Sequence, residues 1–64
     1  MKVKELKKGE WFTKKPIEYP SGMQVWIRDE YDKSERKYLC YCWGDINKWC
    51  YIKGDKEVYI DFMF

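Results

Sequence analysis

Cys40, Cys42 and Cys50 are the residues whose type and spacing most invite chemistry. Three thiols can hold a soft metal, but structural zinc takes four ligands, usually on loops or knuckles. The chain has no histidine, so only a residue such as Asp45 can complete a set. Cys-x-Cys in mid-strand puts both sulfurs on one face, which a core strand lined with small apolar groups also requires. The sequence is therefore read as carrying three free, metal-free thiols in a reducing compartment, with a Cys42–Cys50 disulfide as the lesser alternative. Acid–base chemistry would fall to Glu18, Asp29, Glu30, Asp32, Asp45, Asp55, Glu57 or Asp61. Most of these lie in polar turns, where carboxylates are solvated or bond to the local backbone. Asp61, between Ile60 and Phe62, reads as a charge that discourages edge pairing or as a partner for Lys53. Four isolated glycines make no phosphate-cradling loop, and the missing histidine removes the usual nucleophile pairings. No catalytic residue, metal ligand or cofactor site is assigned, and the expectation is a protein that is not an enzyme.

Rings are the stronger signal. Trp26, Tyr41, Trp43, Trp49 and Tyr51, together with Arg28 and Lys53, can form an exposed binding face. Such a face contacts protein, because Trp, Tyr and Arg dominate interface hot spots. It can also stack the bases of single-stranded nucleic acid. The same rings can instead be a second core closed by residues 1–15. Charge weighs against nucleic acid as the first reading. Residues 1–15 hold six lysines against two glutamates, but residues 16–64 hold seven basic and nine acidic side chains. That body lacks an evident Lys/Arg-lined groove for tracking a phosphate backbone. The function expected is a binding module that contacts protein, with single-stranded nucleic acid as the alternative.

The elements that must position these residues are short. Gly9, the Pro16–Gly22 stretch, Asp32–Arg36, Gly44–Lys48 and Gly54–Lys56 punctuate the chain as turns or loops. Between them, Trp11–Lys15, Met23–Tyr31, Lys37–Trp43, Trp49–Lys53 and Glu57–Phe64 are rich in aromatic and β-branched residues and read as strands. If Trp43 faces Trp49, then Cys42 faces Cys50 and Cys40 faces Ile52. If Lys53 faces Glu57, then Ile52 faces Val58 and Cys50 faces Ile60. Alternation then gathers Cys40, Cys42, Cys50, Ile52, Val58, Ile60 and Phe62 on a core face with Val25 and Ile27. Leu39, Tyr41, Trp43, Trp49 and Tyr51 fall on the outer face, with Trp26 and Arg28. Five short antiparallel strands of this kind predict an all-β fold, a small SH3-like or OB-like barrel formed by residues 1–64 as a single domain.

At 64 residues a folded chain buries only ~60% of the surface it exposes when unfolded, so aromatic residues, 20% of this sequence, supply much of the core. No run approaches the ~18 apolar residues of a spanning helix, and the opening Met-Lys-Val-Lys-Glu-Leu-Lys-Lys has no apolar signal core. A cytoplasmic protein without a membrane partner is expected. Small domains often add apolar burial by self-association. Phe62, Met63 and Phe64, with Tyr59 and the ring-rich face, supply the material for a weak homodimer. The competing arrangement is a monomer whose Val3, Leu6, Trp11 and Phe12 cover the rings; the dimer is preferred.

Gly9-Glu10-Trp11-Phe12, then Val25-Trp26-Ile27-Arg28 with Tyr31-Asp32-Lys33-Ser34 and Lys37-Tyr38, then Lys53-Gly54-Asp55-Lys56 followed by Val58 and Phe62, form one pattern. It resembles a group of very short, uncharacterised bacterial, phage or mobile-element proteins across residues 5–62. The resemblance implies a compact β domain and a genomic setting near phage or plasmid genes. It implies no activity, and it assigns no role to the cysteines.

Overall fold

Runs of aromatic and β-branched residues do form the strands. The computed structural model describes all 64 residues. Its strands are β1 (Trp11–Thr13), β2 (Val25–Asp32), β3 (Lys37–Cys42) and β4 (Asp45–Ile52). They make one antiparallel sheet in the order β1-β2-β3-β4, and the only helical pieces are single 3-10 turns at Val3–Glu5 and Gly22–Gln24. Hence the fold is all-β with a four-stranded open antiparallel sheet, and the expected fifth strand, Glu57–Phe64, does not form.

Local chemistry fixes each connection. Between β2 and β3, the Asp32 carboxylate accepts the backbone N–H of Ser34 at 2.9 Å and of Glu35 at 3.2 Å, and Arg36 takes a φ of 55° to close the turn. Between β3 and β4 the chain reverses at Trp43–Gly44, not across the five-residue loop the sequence suggests. The backbone N–H of Gly44 donates to the Gly22 carbonyl at 3.0 Å, and that of Trp43 to the Val25 carbonyl at 2.8 Å. The Trp43 ring lies so close to Gly22 that a Cβ there would approach it to 2.9 Å, so any larger residue at that position would force the ring to shift. Anchored in this way, the turn is tight and β4 begins at Asp45.

The resulting register is Tyr38↔Ile52, Leu39↔Tyr51, Cys40↔Cys50 and Tyr41↔Trp49, two residues away from the expected pairing. An even shift keeps every side chain on its face. Cys40, Cys42 and Ile52 are accordingly buried. On β2 Val25 is fully buried as expected, but the phase expected of Trp26, Ile27 and Arg28 is inverted. Trp26 pairs with Cys42 and Arg28 with Cys40, so both share the cysteine face, whereas Ile27 pairs with Tyr41 and Trp11 on the other. The reason is volume: the two small thiols of β3 leave space that the Trp26 indole fills.

Glu57–Phe64 is not a strand and does not pair with β4. After the Lys53–Lys56 turn the chain crosses toward its own beginning, where Val3 N–H donates to Lys56 O and Val58 N–H to Met1 O. Only two isolated bridges form, Lys2↔Glu57 and Thr13↔Tyr59. This route drives Val58 into the core with Val3, Leu6, Phe12, Trp26, Cys40, Cys42 and Ile52. It leaves Ile60 37% exposed, against the expectation that it is core. Val3 and Leu6 therefore cover the cysteine face, to which Phe12 itself belongs through its pairing with Trp26, whereas Trp11 lies on the other face against Trp43. The outer edge of β4 has no partner.

Candidate functional site

Alternation along β3 and β4 determines what the outer face carries. Leu39 and Tyr41 on β3 stand opposite Tyr51 and Trp49 on β4. A bulge between Tyr41 and Cys42 inserts extra β4 residues and brings Ile46 to the same side. These five apolar side chains line an open depression of roughly 550 Å³, and no charged residue borders it. Ile46 is 75% exposed and Trp49 58% exposed. The rings of Trp49 and Tyr51 meet edge to face at 5.8 Å and 80°, the arrangement that their quadrupoles favour.

Tyr51 is also held from its polar end. Its hydroxyl donates to the Asp32 carboxylate at 3.1 Å, tying β4 to the end of β2. The phenol's pKa is raised, first by that hydrogen bond and then by burial. The pKa of Asp32 is lowered, first by the Glu35 backbone N–H and then by the Tyr51 hydroxyl. These effects orient a ring and stiffen a turn; they do not arrange an acid and a base around a cavity.

The seven residues expected to form one binding face separate into groups. Tyr41, Trp49 and Tyr51 come together as expected. Trp43 lies apart, packed against Trp11 at 6.2 Å and against Phe64 at 4.8 Å, with Phe64 also 5.7 Å from Trp11. Trp26 is a core residue, 6% exposed. Arg28 turns to the cysteine face, where its guanidinium lies 4.4 Å over the Tyr38 ring. Lys53 is exposed beyond the end of β4 and borders a different depression with Lys14 and Lys56. Leu39 and Ile46 belong to the face but are absent from the expected set. Alternation from Tyr41 is a sufficient signal for Leu39, whereas Ile46 reaches the face only through the bulge.

The thiols are free and unlike one another. Cys40 and Cys42 are buried and Cys50 is half-buried. Desolvation pushes the Cys40 thiol up to about 12, and the nearby Cys50 adds to the shift. The cysteine that stands opposite Cys50 is Cys40, not Cys42. Asp61 lies on the irregular C-terminal segment, and the salt bridges of the molecule, Met1–Glu57 and Lys8 with Asp29 and Glu30, do not include it or Lys53. No known family model, curated protein or solved structure matches this chain.

Proposed function

We propose that this protein is a non-enzymatic interaction module that contacts protein through the outer face of its sheet, a second copy of the chain being the partner. The observation that carries this reading is the apolar groove of Leu39, Tyr41, Ile46, Trp49 and Tyr51, bordered by no charge and left open to solvent. An exposed cluster of large apolar side chains marks contact surfaces in small soluble domains. Burying ~300 Å² of apolar surface on each subunit, ~600 Å² in all, contributes on the order of 15 kcal/mol, against association costs of ~4–15 kcal/mol, which suits a weak dimer. Sedimentation equilibrium across a hundredfold dilution tests it. At high concentration the mass should rise above the 8.0 kDa of one chain. Trp49→Ala should return it to the monomer value. A constant monomer mass over the whole range would exclude self-association.

We further infer that the C-terminal segment serves as a fifth wall beside β1 in a small SH3-like or OB-like barrel that stays open at the β4 edge. Thr13 and Tyr59 exchange both backbone hydrogen bonds, at 2.9 and 3.0 Å, so β1 is covered on its free side. Slow amide exchange at Thr13 and Tyr59 is expected; exchange as fast as at Ile46 on the bare edge would contradict it. Three unpaired thiols, two of them buried, suit the reducing cytoplasm. The motif pattern from Gly9 to Phe62 supports a setting among short phage or mobile-element proteins.

A further inference from the structure

Lysines from the opening segment, from β4 and from the turn that follows it meet along the sheet's free edge. Lys14 is central. Its Nζ lies 3.8 Å from the centroid of the Trp26 ring and donates to Cys50 Sγ at 3.6 Å. To one side, Lys14 borders a depression with Cys50, Tyr51, Lys53 and Lys56. To the other, it borders a second depression with Lys15, Trp26 and Lys48, whose Nζ stands 5.9 Å from the same ring. Five ammonium groups thus surround two adjoining depressions, and no carboxylate lines either one.

None of the five is neutralised. The salt bridges use Lys8 and the α-amino group of Met1. Glu57, close in sequence to Lys56, is the acid that Met1 engages, and Asp55 sits in the turn without lining either depression. The chain's net charge is only +2, so the information lies in the clustering and not in the total. Like charges gathered without counter-charge raise the local potential, and a bound anion offsets it. Lys48 and Lys53 are five residues apart along and just past β4, about 16 Å at strand rise. The odd spacing sends the two lysines to different depressions, which Lys14 joins, and positive charge spread over that length fits a repeating anion better than a single small one.

Tyr51 decides which repeating anion. It lines both the lysine-bordered depression and the apolar groove. An unpaired strand can lay its phosphates on lysines and stack a base on such a ring, whereas a duplex keeps its bases stacked internally. We propose that the free edge of β4 binds single-stranded nucleic acid, with its backbone on Lys14, Lys48, Lys53 and Lys56 and a base against Tyr51. This site runs along the free edge of β4, shares only Tyr51 with the protein-contact groove, and does not rest on that reading.

Fluorescence anisotropy of the full chain with a fluorescein-labelled deoxythymidine 15-mer and with a 15-base-pair duplex provides the test. The single strand should bind more tightly than the duplex. Its log affinity should fall with log salt at a slope of about −3, a loss of roughly 50- to 60-fold between 50 and 200 mM. Lys14→Gln combined with Lys53→Gln should make that slope shallower by about 1.4, whereas Tyr41→Ala, in the apolar groove, should leave it unchanged. In the unmodified chain, saturating 15-mer should slow iodoacetamide labelling of Cys50, a readout that depends on no variant folding. No binding at 50 mM salt overturns the proposal. So does a salt slope that the lysine changes leave intact, or a duplex bound as tightly as the single strand.

Discussion

The two faces of this sheet are built from the same alternation and meet opposite fates. On the cysteine face, small thiols, Trp26 and Phe12 form a surface that Val3, Leu6 and Val58 cover from both ends of the chain. On the ring face, Tyr41, Trp49 and Tyr51 stand beside Ile46 and nothing crosses them. Ring size does not decide which face becomes core, since Trp26 is buried and Trp49 is exposed. Access by the flanking segments decides it. Backbone hydrogen bonds of residues 1–4 to residues 54–58 bind those segments to each other on the cysteine side, and on the other face the chain's end reaches Trp11 and Trp43 through Phe64 but not the rings of β3 and β4.

The largest effect should come from emptying the covered face. Phe12 is fully buried, and Phe12→Ala should cost about 3–5 kcal/mol, comparable to what a single core of this size supplies. Loss of cooperative thermal unfolding in Phe12→Ala is the expected result; a native melt would show that the two ends of the chain do not seal this core. The two tryptophans sharpen the contrast. Trp26→Ala should cost about 3–5 kcal/mol, while Trp49→Ala should alter stability by no more than about 0.5 kcal/mol. Chemical denaturation of the two variants measures both, and similar losses would erase the distinction between the faces.

A smaller, purely chemical difference runs through the thiols. Cys50 should react with a maleimide in the native state, and Cys40 and Cys42 only on unfolding, because two are buried and one is half-exposed. Burial that holds Cys40 near 12 removes its thiolate at neutral pH. Three equally fast thiols in the native protein would contradict this. The smallest expected effect lies at the solvent-facing turn. Because hydrogen bonds lower the Asp32 pKa below its ordinary 3.8, they contribute stability that is present above that value and lost as pH falls through the lowered one. Tyr51→Phe removes one donor, so the Asp32 carboxyl observed by NMR should titrate closer to 3.8. An unchanged titration would detach Tyr51 from Asp32.

Period-two alternation made most of this contrast readable in the sequence. Cys40, Cys42 and Ile52 against Tyr41, Trp49 and Tyr51 follow from β3 and β4 alone, and a two-residue register error left them intact. The phase of β2 was not readable, because Val25-Trp26-Ile27-Arg28 offers an apolar residue of either parity and only the space beside Cys40 and Cys42 selects Trp26. The bulge that turns Ile46 outward depends on the tight turn over Gly22, a contact between residues 22 apart. The C-terminal segment was misread for a related reason. Val58 and Ile60 alternate as a strand would, but the backbone partners of residues 56–59 are Met1, Val3 and Thr13, far away in sequence. The lysine-lined edge is likewise invisible to segment counts, since Lys14 comes from the basic opening and Lys48, Lys53 and Lys56 from a stretch whose net charge is unremarkable.

If the uncovered ring face is a contact surface and not a stray patch, one charge placed on it should separate monomer from assembly. Sedimentation equilibrium of the unmodified chain and of Ile46→Asp, over the same hundredfold concentration range, makes that comparison. Ile46 is the most exposed member of the groove, so a carboxylate there should leave the fold intact and make any burial of that face costly. The expected result is a concentration-dependent mass above 8.0 kDa for the unmodified chain and a monomer mass throughout for Ile46→Asp. Two identical profiles, whether both monomeric or both associated, would contradict it.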